Sequence, residues 1–144
     1  MLVSTKGRYA LRVMIDLAEH DEGGRYTILM DIAERQEISE KYLESILAKL
    51  SRAGFVSALR GRGGGYRLSR GPETYTVGSI LRLTEGDLAP VSCLEGCENV
   101  CRRSAECRTL PMWVKLGKLL DDFFEGITLA DLIGKGESPE NGEK

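Results

Sequence analysis

The chain has 144 residues, 20 Lys+Arg against 22 Asp+Glu for a net charge of -2, one histidine and four cysteines. That length fits one compact domain, or one with a long appended helix. No apolar run is long enough to span a bilayer, and the opening Met-Leu-Val-Ser-Thr-Lys-Gly lacks the basic-then-apolar order of a secretory leader, so the expected location is the cytoplasm, with no membrane partner.

The net charge hides an asymmetry. Residues 1–72 carry 12 Lys+Arg against 9 Asp+Glu, whereas residues 73–144 carry 8 against 13. Between Ser45 and Pro72 stand Lys49, Arg52, Arg60, Arg62, Arg67 and Arg70 without one acidic residue, which points to a polyanionic partner for that surface.

In chain order, Ser4 or Thr5 caps a helix expected over 5–19. Its stripe of Ala10, Val13, Met14, Leu17 and Ala18 faces a core, and Lys6, Arg8 and Arg12 lie on the polar side. His20 sits where an imidazole suits the helix dipole. A second helix is expected from about Thr27 to Gln36, burying Leu29, Ile32 and Ala33, and Ser39 caps a third with Leu43, Ile46, Leu47 and Leu50 inward. Two short helices joined by about three residues form a helix-turn-helix, whose second helix offers Glu40, Lys41, Glu44 and Ser45 to a major groove. Tyr42 is placed to stack on a sugar-phosphate backbone or to pack.

Residues 55–60 and 66–69 alternate as strands around a Gly61-Arg-Gly-Gly-Gly65 tip. A hairpin directly after a helix-turn-helix is a wing, and its glycines, with Gly63 and Gly64 at the tip, let backbone approach a partner closely. Arg60 and Arg62 suit phosphates or a minor groove, with Lys49 and Tyr66 alongside. A dinucleotide fingerprint is excluded, because the third glycine position is Tyr66 and no helix signal follows. Thr76 then caps a short helix with Val77, Ile80 and Leu81 inward. Thr109 and Pro111 open a longer one, on which Trp113, Leu116, Leu120, Phe123 and Ile127 recur at spacings of three and four, widened by Leu119 and Phe124. That seam suits a second copy of the chain, and a two-fold dimer would read a palindromic site on double-stranded DNA. Thr128 caps a last short helix, and residues 134–144 read as a disordered tail.

The expected fold is therefore mainly α with a small β-hairpin: a winged helix-turn-helix over 1–72, a cysteine loop and long C-terminal dimerisation helix over 73–133, and the tail. No enzyme is expected, nor a small-molecule substrate. A catalytic Ser/His/Asp set has one histidine to draw on, at a helix end. The Cys-x-x-Cys of a thiol oxidoreductase is missing, and the adjacent Asp121 and Asp122 are read as solvated.

Five segments carry a family resemblance: Thr5-Lys-Gly-Arg-Tyr-Ala10, Ile38-Ser-Glu-Lys-Tyr-Leu-Glu44, Ala53-Gly-Phe-Val-Ser57, Arg60-Gly-Arg-Gly-Gly-Gly-Tyr66 and Ile127-Thr-Leu-Ala-Asp-Leu132. Together they resemble the Rrf-two (Rrf2) family of bacterial winged-helix regulators, over nearly everything before the tail. The resemblance implies a homodimeric transcription factor, a repressor, with crossed long helices. It also implies an iron-sulfur cluster in the loop before the dimer helix, governing promoters such as those for cluster assembly.

The chain departs from that pattern in its ligands. The cluster-sensing branch has three cysteines at six-residue steps and a histidine three residues after the last. Here Cys101 and Cys107 keep the last step, Leu110 stands at the histidine position, and Cys93 and Cys97 flank the first position. A fourth cysteine standing in for the histidine would give the all-thiolate set typical of 2Fe-2S centres. Arg8 replaces the acidic residue of the nitric-oxide-sensing branch, and relatives governing cysteine metabolism generally lack the cysteine set.

Soft thiolates select iron-sulfur clusters, zinc or copper(I). A cluster is the first expectation. Zinc is the alternative, although Cys93, Cys97, Cys101 and Cys107 match its usual paired spacing loosely. A thiol–disulfide switch governing redox or cysteine metabolism is the third reading. Arg102 and Arg103 favour the thiolate form beside Cys101.

Overall fold

A computed structural model describes residues 3–96 and 101–133. Cys97 and the expected tail lie outside the described residues. Helix α1 spans Thr5–Glu19, α2 Leu29–Gln36 and α3 Glu40–Arg52; the hairpin is β1 Val56–Leu59 and β2 Gly65–Leu68; then come α4 Val77–Glu85, α5 Leu110–Glu125 and α6 Leu129–Leu132. The mainly α architecture with one hairpin is as expected from the sequence.

The caps explain the boundaries. Ser4 Oγ accepts from the N–H of Gly7 at 3.1 Å to start α1, and Ser39 Oγ accepts from that of Tyr42 at 3.2 Å to start α3. At the far end of α1, the carbonyl oxygen of Asp16 accepts from the backbone N–H of His20 at 3.1 Å, and the ring Nδ1 of the same residue lies 2.8 Å from that oxygen. Glu37 turns the chain between α2 and α3 with φ 55°, the one non-glycine left-handed residue among those described.

Helix α2 starts two residues later than expected, for a structural reason. Thr27 donates to the carbonyl of Tyr66 and accepts from its N–H, both at 2.8 Å, so the residue is extended and bridged to the hairpin. Its backbone groups are used in a ladder and are not free to begin a helix.

The main core gathers Val13, Met14 and Leu17 of α1, Ile32 of α2, Leu43, Ile46, Leu47 and Leu50 of α3, Val56 and Leu68 of the hairpin, and Ile80 and Leu129. Nine of these side chains have no exposed surface; each aliphatic side chain buried in this way contributes about 2 kcal/mol. Tyr75, also fully buried, donates from its hydroxyl to the carbonyl of Phe55 at 2.7 Å and accepts from the N–H of Arg70 at 3.1 Å, clamping both ends of the hairpin to the body.

A smaller cluster of Val77, Leu81 and Leu88 takes Leu11, Phe124 and Ile127 against it. The chain end is tied down beside it. Val77 donates to the carbonyl of Ile127 at 2.8 Å, Leu129 donates to that of Tyr75 at 2.9 Å, and a reciprocal capping box between Thr128 and Asp131 closes α6. Helix α5 differs from the rest, since none of its residues is buried.

Candidate nucleic-acid interface and cysteine loop

The N-terminal turns of α1 and α3 meet through Tyr9 and Tyr42, edge to face with centroids 5.7 Å apart. Tyr42 is therefore partly engaged in packing, with 37% of its surface left open. Glu40, Lys41, Glu44 and Ser45 are exposed along the adjoining face of α3, where Ser45 Oγ donates back to the carbonyl of Tyr42 at 2.7 Å. Arg8 is exposed, with Nη2 donating to Thr5 Oγ1 at 3.2 Å, while Lys6 is half-buried. Arg12 reaches from α1 to the end of α2. Its Nε donates to the Gln36 side chain at 3.1 Å, a second nitrogen donates to the Gln36 carbonyl, and the guanidinium lies over the Tyr9 ring.

A groove of about 390 Å3 runs between α3 and the hairpin, lined by Glu44, Ala48, Ser51, Leu59, Arg60 and Tyr66. Arg60 on the groove wall and Arg62 at the hairpin tip are exposed, and Lys49 is half-buried. Gly63, with φ 77°, is open at the tip. Gly64 corrects an expectation, because it is buried and does not face outward. A Cβ there would fall 2.1 Å from the carbonyl oxygen of Leu59 and 2.8 Å from that of Gly61, so the glycine is needed for the tip to close on itself. Tyr66 is half-buried and contributes its backbone to the Thr27 bridge.

The run of six basic residues is thinner than it reads. Arg67 stacks on Tyr26 at 4.6 Å and donates to the carbonyl of Gly24 at 2.7 Å. Arg70 stacks on Tyr75 at 4.6 Å and donates to Thr74 Oγ1 at 3.3 Å. Both hold the wing in place through cation–π contacts.

One site-positioning group is not anticipated by the sequence reading. Asp16 is 1% exposed and receives Arg35 Nε at 3.0 Å, Arg35 Nη2 at 2.7 Å and Gln36 Nε2 at 2.9 Å. The hydrogen bond to Asp16 raises the pKa of Arg35 above the usual arginine value. This network fixes the end of α2, and so the angle at which α3 leaves it. Its signal in the sequence is a lone acid set among Val13, Met14 and Leu17 on the apolar stripe.

In the cysteine loop, Cys93 is half-buried in the short turn Ser92–Leu94, Cys101 is exposed and Cys107 is half-buried. Asp87 secures the loop's first half, accepting from the N–H groups of Ala89 at 2.8 Å and Gly96 at 2.7 Å. Cys107 Sγ lies 3.4 Å from Thr109 Oγ1. That contact, then backbone N–H groups of Thr109 and Leu110 and the charge of Arg103, lower the thiol's pKa below its usual value. Among the described residues no three His, Cys, Asp or Glu side chains converge on a metal position. The donor chemistry, soft sulfur with thiolate favoured at Cys107, suits a thiophilic metal or cluster. A groove of about 780 Å3 separates this loop from α5, bordered by Leu88, Pro90, Leu94, Val114 and Gly117.

The expected seam on α5 divides. Leu116, Leu119 and Phe123 are 36%, 67% and 61% exposed, and Met112 and Val114 are open as well. Trp113 and Leu120 are half-buried. Ile127 lies beyond the helix, after the Gly126 cap, and packs on Val77, Leu81 and Leu88, so it belongs to the chain's own core. The two aspartates read as solvated are both paired. Asp121 accepts from Arg82 at 2.8 Å, alongside Glu125, and Asp122 accepts from Lys118 at 2.7 Å.

A helix-turn-helix, a basic-tipped hairpin and a recognition helix with an open polar face define a winged-helix DNA-binding protein. The chain belongs to the Rrf2 family, whose model, described as an iron-dependent transcriptional regulator, matches residues 3–135. It is 38% identical over 139 residues to the HTH-type transcriptional regulator IscR of Aliivibrio salmonicida, covering 95% of this chain and 80% of that one. Among solved structures, IscR of T. potens superposes with TM-score 0.74 at 37% identity, covering 100% of this chain and 94% of that one. CymR, the global cysteine regulator of B. subtilis, superposes with TM-score 0.75 at 35% identity, covering 95% and 99%. The protein is thus a DNA-binding transcriptional regulator and not an enzyme. No helix among the described residues is long and apolar enough to cross a membrane.

Proposed function

We propose that the protein is a cytoplasmic homodimeric repressor that senses a 2Fe-2S cluster and governs genes for iron-sulfur cluster assembly. The observation that carries this reading is the chain's complete set of four cysteines within 93–107, between a DNA reader and an unburied apolar helix. Cys93, Cys97, Cys101 and Cys107 would hold the cluster through thiolates, which when bound supplies an oxygen- and iron-sensitive cross-link of the loop. Cys107 enters already biased toward thiolate, and Arg103 offsets negative charge next to it. Gathering the cysteines would draw the loop toward the groove beside α5, because the loop has little apolar content to order it otherwise.

The partner on α5 is a second copy of the chain. Leu116, Leu119 and Phe123 present apolar surface along one face of a 16-residue helix, whose polar side is occupied by the Lys118–Asp122 pair. A two-fold axis there places two α3 helices on successive half-sites of a palindrome, with Arg60, Arg62, Lys6, Arg8, Lys41 and Lys49 toward the backbone and Glu44 toward base edges.

The test is anaerobic purification, a visible spectrum, and iron, sulfide and zinc counts on the parent and on four single Cys→Ala variants, with operators selected from a random duplex library. Matched iron and sulfide, lost in the cysteine variants and accompanied by a change in operator affinity, is the expected result. A colourless zinc protein, or one that takes up no metal on reconstitution and responds only to oxidants, overturns the cluster.

A further inference from the structure

The last turn of α4 and the residues just after it make three separate attachments. Arg82 ion-pairs with Asp121 and Glu125 on α5. Glu85 accepts from the backbone N–H of Ser4 at 3.2 Å and from its hydroxyl at 2.5 Å, at the start of α1. Asp87 holds the N–H groups of Ala89 and Gly96 on the run into the cysteines. The exposed helix, the tip of α1 and the cysteine loop therefore all converge on residues 82–87.

The backbone between the last two attachments is tightly specified. Gly86 has φ 82° and ψ -121°, a conformation open only to glycine, with nothing within 4 Å of an added Cβ. The requirement there is one of direction, and it fixes how Asp87 leaves α4 relative to Glu85. On the other side, a Cβ at Gly7 would fall 2.5 Å from Glu85 Oε2, so the carboxylate lies directly against the first turn of α1. Anionic charge is favourable at a helix N-terminus. The Ser4 hydroxyl completes the link, donating to Glu85 while accepting from the N–H of Gly7. Lys6 and Arg8 belong to that same turn.

We infer that Glu85 is a positioning residue that transmits the arrangement of the cysteine loop to the DNA-facing tip of α1. A pull on the loop acts on Asp87, turns Gly86, and shifts or releases the Glu85 carboxylate from Ser4, which re-aims Lys6 and Arg8. The inference rests on the preceding reading that the loop is the sensing element and that the start of α1 meets DNA.

Amide hydrogen exchange on the full-length metal-free protein tests the link without a cluster. Four proteins are compared: parent, Asp87→Ala, Glu85→Ala and the double variant. Loss of the loop anchor in Asp87→Ala is expected to speed exchange at Gly7 and Arg8 by about fivefold, the scale of a lost helix cap, with the core amides of α3 unchanged. Glu85→Ala should do the same, and the double variant should go no further than Glu85→Ala alone. Parent-like exchange at Gly7 and Arg8 in Asp87→Ala, or effects that multiply in the double variant, overturns the coupling. In operator titrations of cluster-loaded against cluster-free protein, Glu85→Ala should bring the affinity ratio toward one. Glu85→Gln, whose amide oxygen still accepts from Ser4, should keep most of it. A parent-like ratio in Glu85→Ala also overturns the coupling. A parent whose affinity ignores the cluster sinks the sensing reading instead, and the exchange cycle still decides the link.

Discussion

Arg35 grips Asp16 with two nitrogens, at 3.0 and 2.7 Å, and thereby ties the end of the first helix of the helix-turn-helix to the last turn of α1. Asp16 is buried and Arg35 is a third exposed, so the carboxylate depends on this partner far more than the guanidinium does. Removing the cation by Arg35→Ala leaves a buried charge with Gln36 as its remaining strong donor. The expected loss is about 3 kcal/mol in urea unfolding, the low end for a broken buried pair. Asp16→Asn should cost less, because the amide still accepts from Arg35.

Tyr75→Phe should lower stability by about 1 kcal/mol, since the N–H of Arg70 loses its acceptor and the carbonyl of Phe55 loses one of its two donors, keeping the N–H of Ser69 at 3.1 Å. Its effect on operator binding should be larger than a surface change of that size, measured by fluorescence anisotropy, because those two residues bracket the wing.

On the wing itself, Arg62→Ala should weaken binding to all duplexes and lower the salt slope by about one. Gly64→Ala should impair binding equally across sequences while leaving the slope per contact unchanged, since it distorts the tip without removing a charge. Glu44→Ala should relax base preference at one position per half-site, read by library selection, as expected if Glu44 accepts from a cytosine amino group. Loss at a single base position for Arg62→Ala contradicts its assignment to the backbone.

Leu119→Glu should convert a dimer to monomers with the fold intact, because that side chain is 67% exposed in the single chain and touches no core. Sedimentation velocity with circular dichroism separates this from unfolding. Ile127→Glu, by contrast, should unfold the α4 end of the molecule.

The Arg82–Glu125 pair predicts an acid limb to stability. The Arg82 hydrogen bond holds the Glu125 carboxyl below its usual value of 4.5, so the unfolded chain takes up a proton before the folded one does. The pair's contribution is complete above that value and is lost as pH falls through the folded pKa. It is small, because both side chains are more than a third exposed. Urea unfolding of Glu125→Gln against the parent should show a gap at neutral pH that narrows once pH falls below 4.5 and closes as it passes through the folded pKa of Glu125.

Much of this molecule can be read from periodicity. The stripes on α1 and α3 name their buried faces correctly, and Ser4, Ser39 and Thr76 cap the helices they precede. Three things are not legible, each for a physical reason. Thr27 has no local signal for extension, since its partner Tyr66 lies across the fold. Ile127 continues the seam in spacing, but Gly126 ends the helix first and the inward turn captures it. Arg67 and Arg70 look like Arg60 and Arg62 in sequence, and only the positions of Tyr26 and Tyr75 separate anchors from open charges.

The two hydrogen bonds between Thr27 and Tyr66 have a mechanical meaning. They join the hairpin to the segment that starts the helix-turn-helix, so wing and recognition helix form a caliper whose jaws are welded at one width. Opening that gauge to suit a differently spaced half-site means breaking both bonds. Choice among operators must then come from which residues line the jaws, or from how far apart two gauges are carried.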